Sequence, residues 1–244
     1  MSWLFYGRIK EISKGIMKTR YLIAHMVLCI ILFFTFIGVS HAVEKSDIII
    51  VDRFSGDGGK NGIPTGWELE KKAGEEDISI EQEGDNFVLH FVSKEASFGV
   101  KKKLEFQIQE YPFLNWNWKV TQLPDGGDVR KKDVDDQAAQ VYIAFPKFPA
   151  MTNTRLIGYI WENEAPKGSV VTSPRWSKLK YIVLRDKTDK LNSWIKEQRN
   201  VYEDYKMVFK EEPPEVGGVS LYINSQHTKS VAESYFDDVY FSKE

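Results

Sequence analysis

The feature that most constrains this chain of 244 residues is its rhythm of short runs. From residue 47 onward, eleven segments of six to nine residues have alternating or aromatic character, among them "DIIIVDRF", "NFVLHFVS", "FLNWNWKV", "RLIGYIWE" and "SYFDDVYF". Turn-forming clusters separate them: "SGDGGKNGIPTG" at 55–66, "EGDN" at 83–86, "LPDGGD" at 123–128 and "EAPKG" at 164–168. A strand sends successive side chains to opposite faces, and Gly, Pro, Asn and Asp supply the backbone angles at its ends. Many short strands punctuated this way predict an all-β fold, an antiparallel β-sandwich or jelly roll. One helix is expected, at 200–209, where Val201, Tyr205, Val208 and Phe209 share a face before Pro213 and Pro214. No repeat or linker interrupts the pattern, so residues 43–244 read as a single domain.

The densest aromatic run is "LNWNWKV" at 114–120. Leu114, Trp116, Trp118 and Val120 fall on one face of a strand, and Asn115, Asn117, Lys119 and Thr121 on the other. Two indoles flanked by aliphatic residues are expected in the core, each with a buried acceptor for its N–H.

Residues 22–39 form the only long apolar run, preceded by basic residues and followed by Ser40 and Ala42 at the small positions of a cleavage site. This predicts a signal peptide over 1–42, with Met17 as a second candidate start, and an exported product, periplasmic or secreted. The alternative is an uncleaved membrane anchor, the only membrane contact the sequence offers. The remainder carries 28 Lys+Arg against 34 Asp+Glu, a formal net charge of −6, which argues against a nucleic-acid partner. Cys29, the only cysteine, lies in the apolar run, so the exported part has no disulfide and no thiol chemistry.

No nucleophile elbow or zinc-binding helix motif is present, and His90 and His227 are the only histidines after residue 42. His90 falls on the outward face of its run and reads as a surface histidine. Glu75, Asp77 and Glu81 share a strand face in an order that resembles the catalytic strand of laminarinase-like glycosidases, although solvated edge acids are the simpler reading. The acids Asp135 and Asp136 open a strand, and Arg199 and Asp204 flank the helix start as plausible partners for them. With Trp161 and Trp194, set in half-exposed surroundings, these residues form the candidate ligand site. Asp52 and Asp238, with Asp57 and Asp237 nearby, could contribute to a structural calcium site of the kind found where the first and last strands of galactose-binding-like jelly rolls meet. No other cofactor is expected.

The ordered series W-x-W-x-V (Trp116, Trp118, Val120), L-P (Leu123, Pro124), D-D (Asp135, Asp136), Y-x-W (Tyr159, Trp161), Trp194, R-N-V-x-x-D-Y (Arg199 to Tyr205) and Phe209 resembles a bacterial exported family, domain of unknown function 3047. The resemblance spans most of residues 50–242 and implies a secreted or periplasmic domain without assigning an activity. Where the family tends to carry an acid-rich D-x-D-N-T turn, this chain reads "NSQHT" from Asn224 to Thr228, two acids fewer. Three functions follow as expectations. The first is a non-catalytic module binding a glycan or other envelope component, on a galactose-binding-like or concanavalin-like sandwich. The second is a carbohydrate-active hydrolase or lyase using Asp135 or Asp136 with Asp204. The third is a structural or assembly component of the envelope.

Overall fold

Each of the eleven alternating runs forms a strand. The computed structural model describes residues 46–56 and 59–244. The apolar run, the cleavage site, Met17 and Asp57 lie outside the described residues. The first sheet holds β1 (Ile48–Asp52), β3 (Ile78–Glu83), β4 (Asn86–Lys94), β6 (Phe113–Gln122), β11 (Ile195–Asn200) and β13 (Val231–Ser242), in the order β11-β6-β13-β4-β3 with β1 also on β13. The second holds β2 (Glu68–Ala73), β5 (Ser97–Phe106), β7 (Ala139–Phe145), β8 (Arg155–Trp161), β9 (Val170–Thr172), β10 (Leu179–Arg185) and β12 (Val216–Asn224), in the order β2-β5-β12-β7-β8-β10-β9. The two sheets make a β-sandwich. One pairing departs from the antiparallel expectation, since β8 and β10 run parallel. The chain between them returns across the sheet and contributes β9, a strand the sequence pattern does not announce. The mostly polar edge strand β11, "IKEQRN", is equally silent in the periodicity.

The tryptophan run behaves as its alternation requires. Trp116 and Trp118 are buried between the sheets, and Trp116 stacks on Tyr159 at 5.4 Å while Trp118 packs against Trp161 at 5.7 Å. Rings of this size contribute about 3 kcal/mol or more each by leaving water. Only one of the two expected acceptors exists: Trp118 Nε1 donates to Glu197 Oε1 at 3.2 Å, whereas Trp116 Nε1 has no partner.

The expected helix is α2 (Val201–Phe209), after a single short turn of helix, α1 (Ala150–Asn153). Asn200 caps α2 by accepting from the Glu203 N–H at 3.0 Å, and Lys210 ends it in the left-handed region at φ 59°. Val201 and Tyr205 are buried, with Val208 and Phe209 packed beside them against the core. The first and last strands do pair, β1 on β13. Asp52 there is already committed: it accepts from the Phe54 N–H at 2.8 Å, from Trp67 Nε1 at 2.7 Å and from Lys102 Nζ at 3.2 Å. Asp238 accepts from Asn117 Nδ2 at 3.2 Å. Among the described residues no three His, Cys, Asp or Glu side chains are placed to hold a metal ion.

Candidate functional site: a groove on the outer face of the second sheet

The six residues proposed from the sequence do not form one site. Trp161 is fully buried against Trp118, so its expected half-exposed setting is corrected: β8 turns it inward, and its Nε1 has no partner. Arg199 and Asp204 pair with each other and not with the acids at 135–136. Arg199 Nε and Nη2 reach Asp204 at 3.0 and 2.6 Å, and the Tyr159 hydroxyl donates to the same carboxylate at 2.6 Å. Tyr159 belongs to the inner face of β8, so this cluster ties the start of α2 to the core. Trp194 lies on the outer side of the first sheet, bonded through Nε1 to Glu83 at 2.9 Å and set edge-on to Tyr235. Asp135 and Asp136 are near a groove, in different roles.

That groove, with a volume of about 940 Å³, runs over the outer face of the second sheet. Strand register builds its floor. Across one row stand Glu68, Lys101, Ser220, Tyr142, Gly158 and Tyr181, each the cross-strand neighbour of the next. The adjacent row places Gly99 beside Tyr222 and Tyr222 beside Gln140. The two glycines make room for the rings: a Cβ on Gly158 would come within 2.8 Å of Tyr142 and 2.9 Å of Tyr181, and one on Gly99 within 2.4 Å of Tyr222. Tyr142 lies at the centre, 6.2 Å from each of the other two rings. Tyr142 and Trp176 keep part of their surface open, while Tyr181 and Tyr222 sit deeper in the floor. A small second core beneath the loops, including Val129, Ile160 and Val183, covers the other end of this face and leaves the groove beside it.

Polar groups converge on the tyrosines. The Tyr142 hydroxyl donates to Gln140 Oε1 and lies 3.5 Å from that of Tyr181. Gln140 Nε2 donates to Asn224 Oδ1 at 2.7 Å. Burial raises the pKa of all three tyrosines, that of Tyr222 to about 12, so their hydroxyls keep their protons at neutral pH. Asp135 also lines the groove. Burial pushes its carboxyl above the usual range, against the opposing pull of Gln137 Nε2 at 3.0 Å and of Arg175, whose Nε is 3.7 Å away. Asp136 is fully buried behind it and serves the turn after β12. It accepts from the N–H groups of His227 and Thr228 at 2.9 and 2.6 Å, from the Thr228 hydroxyl at 2.9 Å, from Asn224 Nδ2 at 2.9 Å and from His227 Nδ1 at 2.9 Å. The "NSQHT" turn is thus a set of donors closing on one acid.

Tyr142, Arg175, Trp176, Tyr181, Tyr222 and His227 are the groove residues that sequence reasoning missed. The three tyrosines had one signal, an aromatic residue on the outward phase of β7, β10 and β12 where apolar residues occupy the inward phase, while Arg175, Trp176 and His227 lie in loops and had none. The class defined by fold and site is a β-sandwich with an aromatic, hydrogen-bonding groove on one sheet. The family model for a protein of unknown function, DUF3047, matches residues 65–240, and the chain belongs to that family. No curated protein matches the chain. Solved structures it is similar to include the family 11 carbohydrate-binding module of cellulase Lic26A-Cel5E of Clostridium thermocellum, with 8% identity, TM-score 0.44 and coverage of 81% of this chain and 95% of that one. The family 30 module of Cel9D-Cel44B from the same organism has 8% identity, TM-score 0.43 and coverage of 73% and 92%. The family 11 xylanase from Neocallimastix patriciarum has 12% identity, TM-score 0.36 and coverage of 72% and 91%. At these identities and TM-scores none of the three bears on what the groove holds.

Proposed function

We propose that this chain binds a glycan, laid along the groove of the second sheet. The observation that carries the reading is the convergence of aromatic rings and hydrogen-bonding side chains on one open volume. Tyr142 and Trp176 offer partly open apolar faces, and Gln140, Asn224, Asp135 and Arg175 stand at their edges. A sugar ring needs both: apolar C–H faces to cover and a girdle of hydroxyls to satisfy. Gln140 is bonded to Asn224, Asp135 to Gln137 and Arg175 to the Lys132 carbonyl, so little ordering entropy is lost when a ligand arrives. Export is part of the same proposal and rests on the apolar run at 22–39 with the small residues that follow it.

Affinity electrophoresis through gels containing neutral and acidic polysaccharides tests the reading. The protein is expected to be retarded in at least one gel, and Trp176→Ala to reduce that retardation strongly while the thermal midpoint stays near that of the parent. Retardation that persists in Trp176→Ala and disappears in Trp194→Ala would move the site to the other sheet. Free migration in every gel would leave the groove without a glycan role and favour an envelope component that meets only other proteins.

A further inference from the structure

His227 stands at the groove with its two ring nitrogens in different surroundings. Nδ1 faces Asp136, a fully buried carboxylate that already accepts four other hydrogen bonds and can only accept. Nδ1 therefore carries a proton. Nε2 faces Arg175 Nη2 and, at 3.4 Å, Gln226 Nε2, groups that can only donate, so Nε2 presents a lone pair. The hydrogen bonds thus orient the ring with Nδ1 toward Asp136 and Nε2 toward the groove. A carboxylate behind a histidine that sets its tautomer and orientation is the arrangement of a general base.

The rest of the groove supplies what such a base needs. Lys72 Nζ lies 4.8 Å over the Tyr222 ring, with no carboxylate paired to it among the described residues. Arg175, on the opposite wall, donates to the Lys132 carbonyl, and its only carboxylate neighbour among the described residues is Asp135 at 3.7 Å. These two cations, from opposite edges of the sheet, favour a ligand that carries negative charge. A guanidinium prefers a carboxylate to an imidazole nitrogen, so an acidic sugar beside Arg175 would take that donor and leave Nε2 with only the long contact to Gln226. The Tyr142 and Tyr181 hydroxyls, kept protonated by burial, stand ready as proton donors. The pair of carboxylates that hydrolysis uses is poorly provided: Glu68 and Glu70 both face Lys101 at the rim, and Asp136 has no free oxygen.

We propose that the groove cleaves uronate-bearing glycans by β-elimination, with His227 as the catalytic base. This rests on the groove being the glycan site. Arg175, beside His227, holds the uronate carboxylate and stabilises the charge that develops on it, while Lys72 across the groove draws in a neighbouring acidic unit of the chain. His227 Nε2 takes the proton from the carbon next to the carboxylate. The electron pair forms a double bond to the following carbon, and the bond from that carbon to the glycosidic oxygen breaks. The departing oxygen takes a proton from a tyrosine hydroxyl, Tyr142 or Tyr181. Proton return from the imidazolium to the tyrosinate resets the groove, and neither water nor an oxidant is used. The products are a shortened chain and a fragment whose new double bond is conjugated to its carboxylate.

That conjugation absorbs in the ultraviolet and gives the test. The full chain is incubated with alginate, polygalacturonate or a neutral β-glucan, and absorbance is followed beside affinity electrophoresis on the same polymers. Absorbance is expected to rise with an acidic polymer, and His227→Gln to slow it by about 10²-fold or more while retardation is kept. Glutamine can still donate to Asp136, so this variant preserves the turn where His227→Ala could unfold it. Retention of an acidic polymer with no absorbance gain overturns the elimination and leaves glycan binding standing. Retention of the neutral glucan alone overturns the acidic ligand. A rise as fast in His227→Gln as in the parent removes His227 as the base. Retention of none of the polymers defeats the glycan reading itself.

Discussion

The outer faces of the two sheets carry the same kinds of residue and use them in opposite ways. On the first sheet His90 lies between two acids, Nδ1 2.6 Å from Glu81 and Nε2 2.8 Å from Glu233, and Tyr235 stacks on its ring at 4.2 Å. Lys119 sits 3.9 Å over Tyr235 and pairs with Glu83, which also accepts from Trp194. Each group there is taken up by a neighbour, and the face closes on itself. On the second sheet a histidine, three tyrosines, a tryptophan, a lysine and a carboxyl group stand around an open volume. Lys72 has no carboxylate partner there among the described residues, and Nε2 of His227 has only displaceable donors, Arg175 and Gln226. A polar, aromatic face becomes a ligand site when its donors and acceptors keep capacity toward a shared space. Residue types alone do not separate the two cases.

The carboxyl groups differ in the same sense. Burial works against the charge on Glu233, but hydrogen bonds from Thr121, His90 and Tyr235 outweigh it and hold the carboxyl below its ordinary range. Glu83 is lowered too, burial being overcome there by Lys119 and Trp194. At Asp135 burial prevails and the carboxyl is raised.

Four measurements would break or sharpen this contrast. The largest effect belongs to the core beneath both faces: Trp118→Ala should cost about 3–5 kcal/mol in urea unfolding, and a loss below about 1 kcal/mol would mean the faces do not share one core. Next, Glu233→Gln should destabilise the fold by about 1–3 kcal/mol at neutral pH. Because the carboxyl of Glu233 is lowered in the folded chain, its contribution is complete above the unfolded value of 4.5 and fades as pH falls through the lower folded value. The variant and parent should therefore converge in acid, and a gap that widens there would reverse the assignment. Third, Trp176→Ala should weaken glycan binding about tenfold, whereas Trp194→Ala leaves it within about twofold; equal losses would erase the difference between the faces. The smallest effect is at Asp135→Asn, with the opposite sign from Glu233. A raised carboxyl penalises the folded state as pH climbs from 3.8 through its raised value, so the variant should gain midpoint over the parent above that window. A loss at neutral pH would show that Asp135 is charged and needed by the fold.

Much of the architecture is legible in the sequence because inward and outward residues alternate wherever one phase is apolar. The run Leu114, Trp116, Trp118, Val120 gave the core face of β6, and the 200–209 pattern gave α2 with its cap. The candidate site was less legible. In β7, β8 and β10 both phases carry apolar or aromatic residues, since loops cover part of their outer face. Tyr159 and Trp161 therefore look as exposed, or as buried, as Tyr142 and Tyr181. The pairing of Arg199 with Asp204, five residues on, was closer at hand than the acids at 135–136 and took the guanidinium.

By itself the sequence determined the strand count to within two, the family, the tryptophan core and the helix, because these depend on local periodicity and on side chains that must leave water. Tertiary structure alone decided which face would bind. The groove draws Lys72 from β2, Tyr142 from β7, Arg175 from the loop before β10, Tyr222 from β12 and His227 from the turn after it. No spacing along the chain records that meeting. It follows from which strands lie side by side in the second sheet, and from loops that cover one end of its outer face and leave the other end open.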